Sequence, residues 1–123
     1  MTTETGPRQR VLFVEDEAGL RQAYQRYFQG RYEVAFAPTG TEARARMRDF
    51  SPDLVVLDLR LPDTDGIDLL RELRALRPSL RVVVTTSYAS MQPLFEVLGI
   101  PYSGYLVKPF SLSDLEAEID AAL

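Results

Sequence analysis

Five short strand-like runs alternate with five helical stretches along this chain, and that alternation limits its fold more than any other feature. Arg10–Val14, Asp53–Asp58 and Arg81–Thr85 carry apolar runs, the pattern of strands buried on both faces. Tyr32–Ala37 is less apolar and is expected at a sheet edge; Tyr102–Val107 makes the fifth strand. Between them, apolar residues recur at helical spacing. Leu20, Tyr24, Tyr27 and Phe28 mark a first helix, stopped by Gly30. Ala43, Met47 and Phe50 mark a second, capped by Thr39 or Thr41 and ended by Ser51-Pro52. Leu69, Leu70, Leu73 and Leu76 are expected to face inward from a third. Ser90–Leu98 reads as a fourth helix, in which Pro93 must occupy the first turn or break it. Leu112, Leu115, Ile119 and Leu123 form the stripe of a last helix capped by Ser111 or Ser113. Such alternation builds βαβ units and a doubly wound parallel α/β sheet with helices on both faces, in the common order 2-1-3-4-5. Residues 10–123 are expected to form one domain after a flexible leader over 1–9.

Composition removes several function classes. A chain of 123 residues with 46% hydrophobic content has enough apolar material for a real core. Its net charge of −4, with both signs interspersed, argues against a nucleic-acid surface. No cysteine is present, which fits a reducing compartment, though only weakly. No apolar run approaches the roughly 20 residues of a membrane helix, and Met1–Arg10 lacks the apolar segment of a signal peptide. The expected location is cytoplasmic, away from any membrane. The absence of histidine excludes histidine acid–base catalysis and most zinc sites. It also means that this chain cannot itself donate a phosphoryl group from histidine.

Reactive side chains cluster at the carboxyl ends of the expected strands, where ligands bind in open α/β sheets. Val14-Glu15-Asp16-Glu17 follows the first strand, and Asp58 ends the third. Thr85 and Thr86 close the fourth, and Lys108 precedes Pro109 after the fifth. Neighbouring first and third strands bring three carboxylates together. Such a cluster raises its own pKa values unless a cation neutralises it, and an all-oxygen donor set favours Mg²⁺. Alternatively, Glu15, Asp16 and Glu17 merely open the first helix, whose N-terminus welcomes negative charge. Asp58 is placed to attack a phosphoryl group and form an acyl phosphate, or to cap the turn that follows. A threonine hydroxyl and an ammonium both suit phosphoryl oxygens. A cis Lys108–Pro109 bond would fix the direction of the lysine.

These residues resemble a response-regulator receiver domain of two-component signalling, over essentially Arg10–Leu123. The resemblance rests on Val14-Glu15-Asp16-Glu17, on Asp58 with Leu61-Pro62-Asp63-Thr64-Asp65-Gly66, on Thr86-Ser87, and on Tyr105-Leu106-Val107-Lys108-Pro109-Phe110. The spacings of 28 residues from Asp58 to Thr86 and 22 from Thr86 to Lys108 suit that family. It implies a flavodoxin-like (βα)5 fold and a phosphorylation-controlled switch rather than a turnover enzyme. Asp58 is then the phosphoacceptor, served by a partner histidine kinase or phosphotransfer protein. Asp16 and Asp58 are implied as Mg²⁺ ligands, with Glu15 helping through water and Arg60 through its backbone carbonyl. Lys108 pairs with the phosphoryl oxygens, Thr86 swings to hydrogen-bond one, and Tyr105 changes rotamer with it. The altered face signals to a downstream output protein or domain.

The chain departs from the family pattern at several points. Its acidic pair is Glu-Asp, and Thr85 offers a second hydroxyl beside Thr86, though the small Ser87 favours Thr86 as the switch. Arg60 and Tyr88 flank the path of a hydrolytic water and are expected to slow phosphate loss; with Ser87 they are candidate modulators. Acidic Asp114, Glu116, Glu118 and Asp120 on the last helix argue against a dimer made through basic residues there. A phosphorylation-independent scaffold is the alternative function, opposed by the intact Asp58, Asp16 and Lys108. A phosphohydrolase of haloacid dehalogenase type needs a carboxylate two residues after its nucleophile, and Arg60 stands there. The chain suits either a stand-alone receiver or a piece of a longer regulator.

Overall fold

The computed structural model describes residues 8–87, 99 and 101–123. Five strands are present: β1 (Arg10–Val14), β2 (Glu33–Ala37), β3 (Leu54–Asp58), β4 (Arg81–Thr86) and β5 (Gly104–Val107). The helices among the described residues are α1 (Ala18–Phe28), α2 (Gly40–Asp49), α3 (Gly66–Leu76) and α4 (Leu112–Ala122). The expected helix at Ser90–Leu98 and residue Tyr88 lie outside the described residues, as does most of the expected leader. Every strand pairing is parallel, in the order β2-β1-β3-β4-β5. This is the doubly wound order anticipated from the alternation of elements, with β2 at an edge.

Strand alternation sends successive side chains to opposite faces, and both faces are covered. Leu12, Val14, Val55, Leu57, Val82 and Val84 meet Ala43 of α2 and Leu69, Leu70 and Leu73 of α3. Val11, Phe13, Leu54, Val56 and Val83 meet Tyr24 and Phe28 of α1 and Leu115 and Ile119 of α4. The second layer is strongly aromatic: Phe13 stacks on Phe28 at 5.3 Å and on Phe36 at 5.4 Å between ring centroids. Burial on both sides is why the central strands read as continuous apolar runs.

Helix starts follow local chemistry. Thr39, rather than Thr41, caps α2 by accepting from the Glu42 N–H, and Asp65 caps α3 through the N–H groups of Ile67 and Asp68. Ser111, rather than Ser113, caps α4 in a reciprocal box with Asp114. Helix α1 begins at Ala18, with Glu17 in the cap position and no side-chain cap. Glu15 and Asp16 therefore precede the helix instead of forming its first turn.

Four expectations need correction. Leu76 is not inward: it is 64% exposed, because α3 ends there and the chain turns back so that Leu80 fills the buried place. The fifth strand starts at Gly104, since Ser103 bonds β4 with its hydroxyl as well as its backbone N–H (3.1 and 2.7 Å to Val82). Strand β4 continues through Thr86, whose carbonyl accepts from the Lys108 N–H at 2.7 Å. Tyr32, expected in the second strand, lies just before it and is buried, donating to Asp120. Among the described residues no helix is long and apolar enough to cross a membrane.

Candidate functional site

The carboxyl edge of the sheet gathers the reactive residues. Strand β3 ends on Asp58, buried at 3% exposure, and its neighbour β1 runs straight into Glu15, buried at 1%. The Glu15 N–H donates to the Ala37 carbonyl at 3.0 Å, which carries the β1–β2 ladder one residue past the strand. Lys108 follows β5, next to a cis bond to Pro109. Its Nζ lies 3.0 Å from Glu15 Oε1, 3.1 Å from Asp58 Oδ2 and 3.9 Å from Glu17 Oε1. One ammonium thus bridges the two buried carboxylates.

Asp58 Oδ1 accepts from the Arg60 N–H at 3.0 Å, so neither of its oxygens is unpaired. Asp16 is exposed beside them, and one oxygen from each of Glu15, Asp16 and Asp58 lies within 4.8 Å of the others. Crowding shows in the proton affinities. Burial, then the charge of Asp58, pushes the Glu15 carboxyl up to about 7, against the opposing hydrogen bonds from Lys108 and the Glu17 N–H. Burial works to lower the Lys108 ammonium, but its bond to Glu15 and the charges of Asp58 and Glu15 outweigh it and raise the value. An all-oxygen cluster that holds a carboxyl near neutrality is short of positive charge, and a hard divalent cation such as Mg²⁺ fits that donor set.

The cleft over this cluster has a volume of about 230 Å³ and is lined by Asp16, Glu17, Asp58, Arg60, Ser87 and Lys108. A larger groove of about 340 Å³ lies between α1 and β2, but no carboxylate lines it. Thr85 and Thr86 are both buried at the end of β4. Thr85 is in register with Asp58 and its hydroxyl has no partner among the described residues; Thr86 is one residue further and pairs with Val107. Tyr105 is half-buried on β5, edge-on to Tyr102 at 5.8 Å. The sites anticipated at Glu15, Asp16, Asp58, Arg60, Ser87 and Lys108 therefore converge on one cleft, Thr86 closes the adjoining strand, and Tyr105 stands apart on the edge strand.

Two contributors were not anticipated. Glu17 lines the cleft near Lys108, a position hinted at only by its place in the acidic run. Arg21 donates from Nη1 to the carbonyls of Glu15 at 2.9 Å and Asp16 at 2.8 Å, and so braces the backbone that carries the acidic pair. Its distance of five and six residues from them is a reach of one to two helical turns, a weak signal in sequence alone. The loop after Asp58 is equally fixed. The Gly66 N–H donates to the Leu59 carbonyl at 3.2 Å, and a Cβ at Gly66 would stand 2.4 Å from Leu59 Cα. Only glycine permits that approach.

Comparison with known proteins agrees with this arrangement. The model of the response regulator receiver domain matches residues 11–120. The two-component response regulator PhoP of Pseudomonas aeruginosa is 38% identical over 115 residues, covering 93% of this chain and 51% of that protein. The transcriptional regulatory protein ZraR of Escherichia coli is 34% identical over 114 residues, covering 92% of this chain and 26% of that protein. The chain thus spans about half the length of the first relative and a quarter of the second. A CheY-like receiver domain protein from Methanospirillum hungatei superposes with a TM-score of 0.84 at 29% identity, covering 92% of this chain and 91% of that one. Response regulator TrrA from Thermotoga maritima, in complex with Mg²⁺-BeF, superposes with a TM-score of 0.80 at 27% identity, covering 94% and 99%. Sheet order, strand-end chemistry and these likenesses coincide: the chain belongs to the response regulator receiver domain family.

Proposed function

We propose that this receiver is a switch driven by phosphorylation of Asp58. The observation that carries the reading is the Lys108 ammonium held between buried Asp58 and Glu15, beside an exposed Asp16, in an open cleft. An Asp58 oxygen attacks the phosphorus of a phosphohistidine on a partner kinase or phosphotransfer protein. The new O–P bond forms as the P–N bond breaks, and its electron pair leaves on the imidazole nitrogen. Asp16 and Asp58, the Arg60 carbonyl, and Glu15 through water would hold Mg²⁺, which supplies charge neutralisation for the phosphoryl oxygens. The neighbour solved with Mg²⁺-BeF supports that choice of cation.

Lys108 then turns from the Asp58 oxygen to a phosphoryl oxygen, where its charge is better matched. The Thr86 hydroxyl donates to another, and Tyr105 repacks beside the vacated space. Phosphorylation in this way favours one of two states that already interconvert. The protein is a phosphoacceptor with slow self-dephosphorylation, not a turnover enzyme; Arg60 at the cleft mouth hinders the hydrolytic water. Its altered face acts on a downstream output protein or domain, with no contact to nucleic acid or membrane by this segment, and a cytoplasmic setting fits that partnership.

Beryllium fluoride, a stable stand-in for the phosphoryl group, tests the reading. With Mg²⁺ present, resonances of Thr86 and Tyr105 are expected to shift in the wild type and to stay in place in Asp58→Ala. Unchanged spectra in the wild type would contradict the switch.

A further inference from the structure

Asp63 lies in the loop joining β3 to α3, and the phosphoryl chemistry above makes no use of it. Its carboxylate is nevertheless fully engaged, and with a distant element. Oδ1 accepts from the Gly40 N–H at 2.8 Å; Oδ2 accepts from the Thr41 N–H and the Thr41 hydroxyl, each at 3.0 Å. Gly40 and Thr41 are the first two residues of α2. The next two amides are met locally, Glu42 by the Thr39 side chain and Ala43 by the Thr39 carbonyl. Three orphan donors of this helix start are therefore divided between its own cap and a carboxylate 22 residues further along the chain. The positive end of the α2 dipole adds to the attraction, and the two amide bonds hold the Asp63 carboxyl below its ordinary range.

The contact is tight enough to dictate sequence. A Cβ at Gly40 would stand 2.4 Å from Thr64 Cγ2 and 3.3 Å from Asp63 Oδ1, so a side chain there pushes this loop away. The rest of the loop leads back to the acidic cluster. The backbones of Arg60 and Asp65 form an isolated antiparallel bridge, the Gly66 N–H bonds the Leu59 carbonyl, and the Arg60 N–H bonds Asp58 itself.

We propose that Asp63 is a positioning residue of the phosphorylation site: by seizing the start of α2 it holds the 59–65 loop in the shape that presents the Arg60 carbonyl and the Asp58 carboxylate to the cation. The inference rests on the phosphoacceptor reading above. Both oxygens are needed, because an amide has a single acceptor and would turn N–H against the Thr41 N–H. Asp63→Asn is therefore expected to behave like Asp63→Ala. A tie that fixes ligand geometry from outside shows itself in metal affinity.

Isothermal titration of Mg²⁺ into the unphosphorylated protein tests this without any phosphoryl transfer. Asp63→Ala, Asp63→Asn and Gly40→Ala are expected to weaken Mg²⁺ binding by about tenfold. Glu72→Gln is the control: it removes the charge from the Arg44–Glu72 ion pair (2.7 Å), a contact between α2 and α3 that leaves the loop alone, and its Mg²⁺ affinity should equal the wild type's. Equal affinity in wild type and the Asp63 and Gly40 variants overturns the inference, as does equal weakening in Glu72→Gln, which would mark a general loss of packing. A wild type that takes up no Mg²⁺ overturns the phosphoacceptor reading itself.

Discussion

Lys108 is the only lysine in the chain, and it stands where a compact point charge serves better than the planar fork of arginine. Its neighbour Glu15 carries a testable consequence. The folded-state value near 7 lies above the ordinary value of 4.5, so between those pH values the native protein holds a proton that the unfolded chain has released. Stability is therefore greatest below about 4.5, as far as this group is concerned, and falls as pH rises through 7. The loss amounts to up to about 3 kcal/mol. Thermal denaturation in a chelator is expected to show the melting temperature dropping across that window, and Mg²⁺ should flatten the drop by displacing the proton. A melting temperature independent of pH from 5 to 7.5 (roughly the titration range) would contradict the crowded cluster. Tyr24 offers a second check. Its ring is fully buried against Phe13, and its hydroxyl is buried with no partner among the described residues. Tyr24→Phe removes an orphaned polar group and should stabilise the fold by about 1 kcal/mol in urea unfolding; a loss of stability would mean the hydroxyl is satisfied.

At the scale of elements, α3 separates core from surface within one turn. Leu73→Ala is expected to cost about 2–5 kcal/mol, whereas Leu76→Ala should stay within about 0.5 kcal/mol; chemical denaturation of both variants checks the contrast. Spacing alone puts Leu76 in the stripe, since nothing in a helical period says where the chain will turn off the sheet. Thr39 against Thr41, and Ser111 against Ser113, were equally open, because the winning cap depends on backbone geometry two or three residues away. The strands were plain by contrast: burial on both faces leaves an apolar run that few other structures need. Helix α1 bears on function through Arg21, whose guanidinium fixes the carbonyls of both Glu15 and Asp16. Arg21→Ala is expected to weaken Mg²⁺ binding by about tenfold in calorimetric titration while the protein stays folded. An unchanged affinity would reduce Arg21 to a surface residue.

For the whole molecule, topology performs the assembly. Glu15, Asp58 and Lys108 are separated by tens of residues, yet the order β2-β1-β3-β4-β5 stacks their strand ends side by side. That convergence was legible because each residue follows a recognisable strand and the parallel order is nearly forced by the alternation of elements. The bracing was not legible. Asp63 bonding α2, Arg21 holding the acidic loop and the register of Thr85 with Asp58 arise from contacts between segments whose separate sequences look ordinary. The central claim, that this assembled edge accepts a phosphoryl group on Asp58, is tested most directly by intact mass after incubation with acetyl phosphate. A single Mg²⁺-dependent phosphoryl adduct on the wild type, absent from Asp58→Asn, is the predicted result. A folded wild type that gains no adduct, or an Asp58→Asn protein that gains the same one, would contradict it.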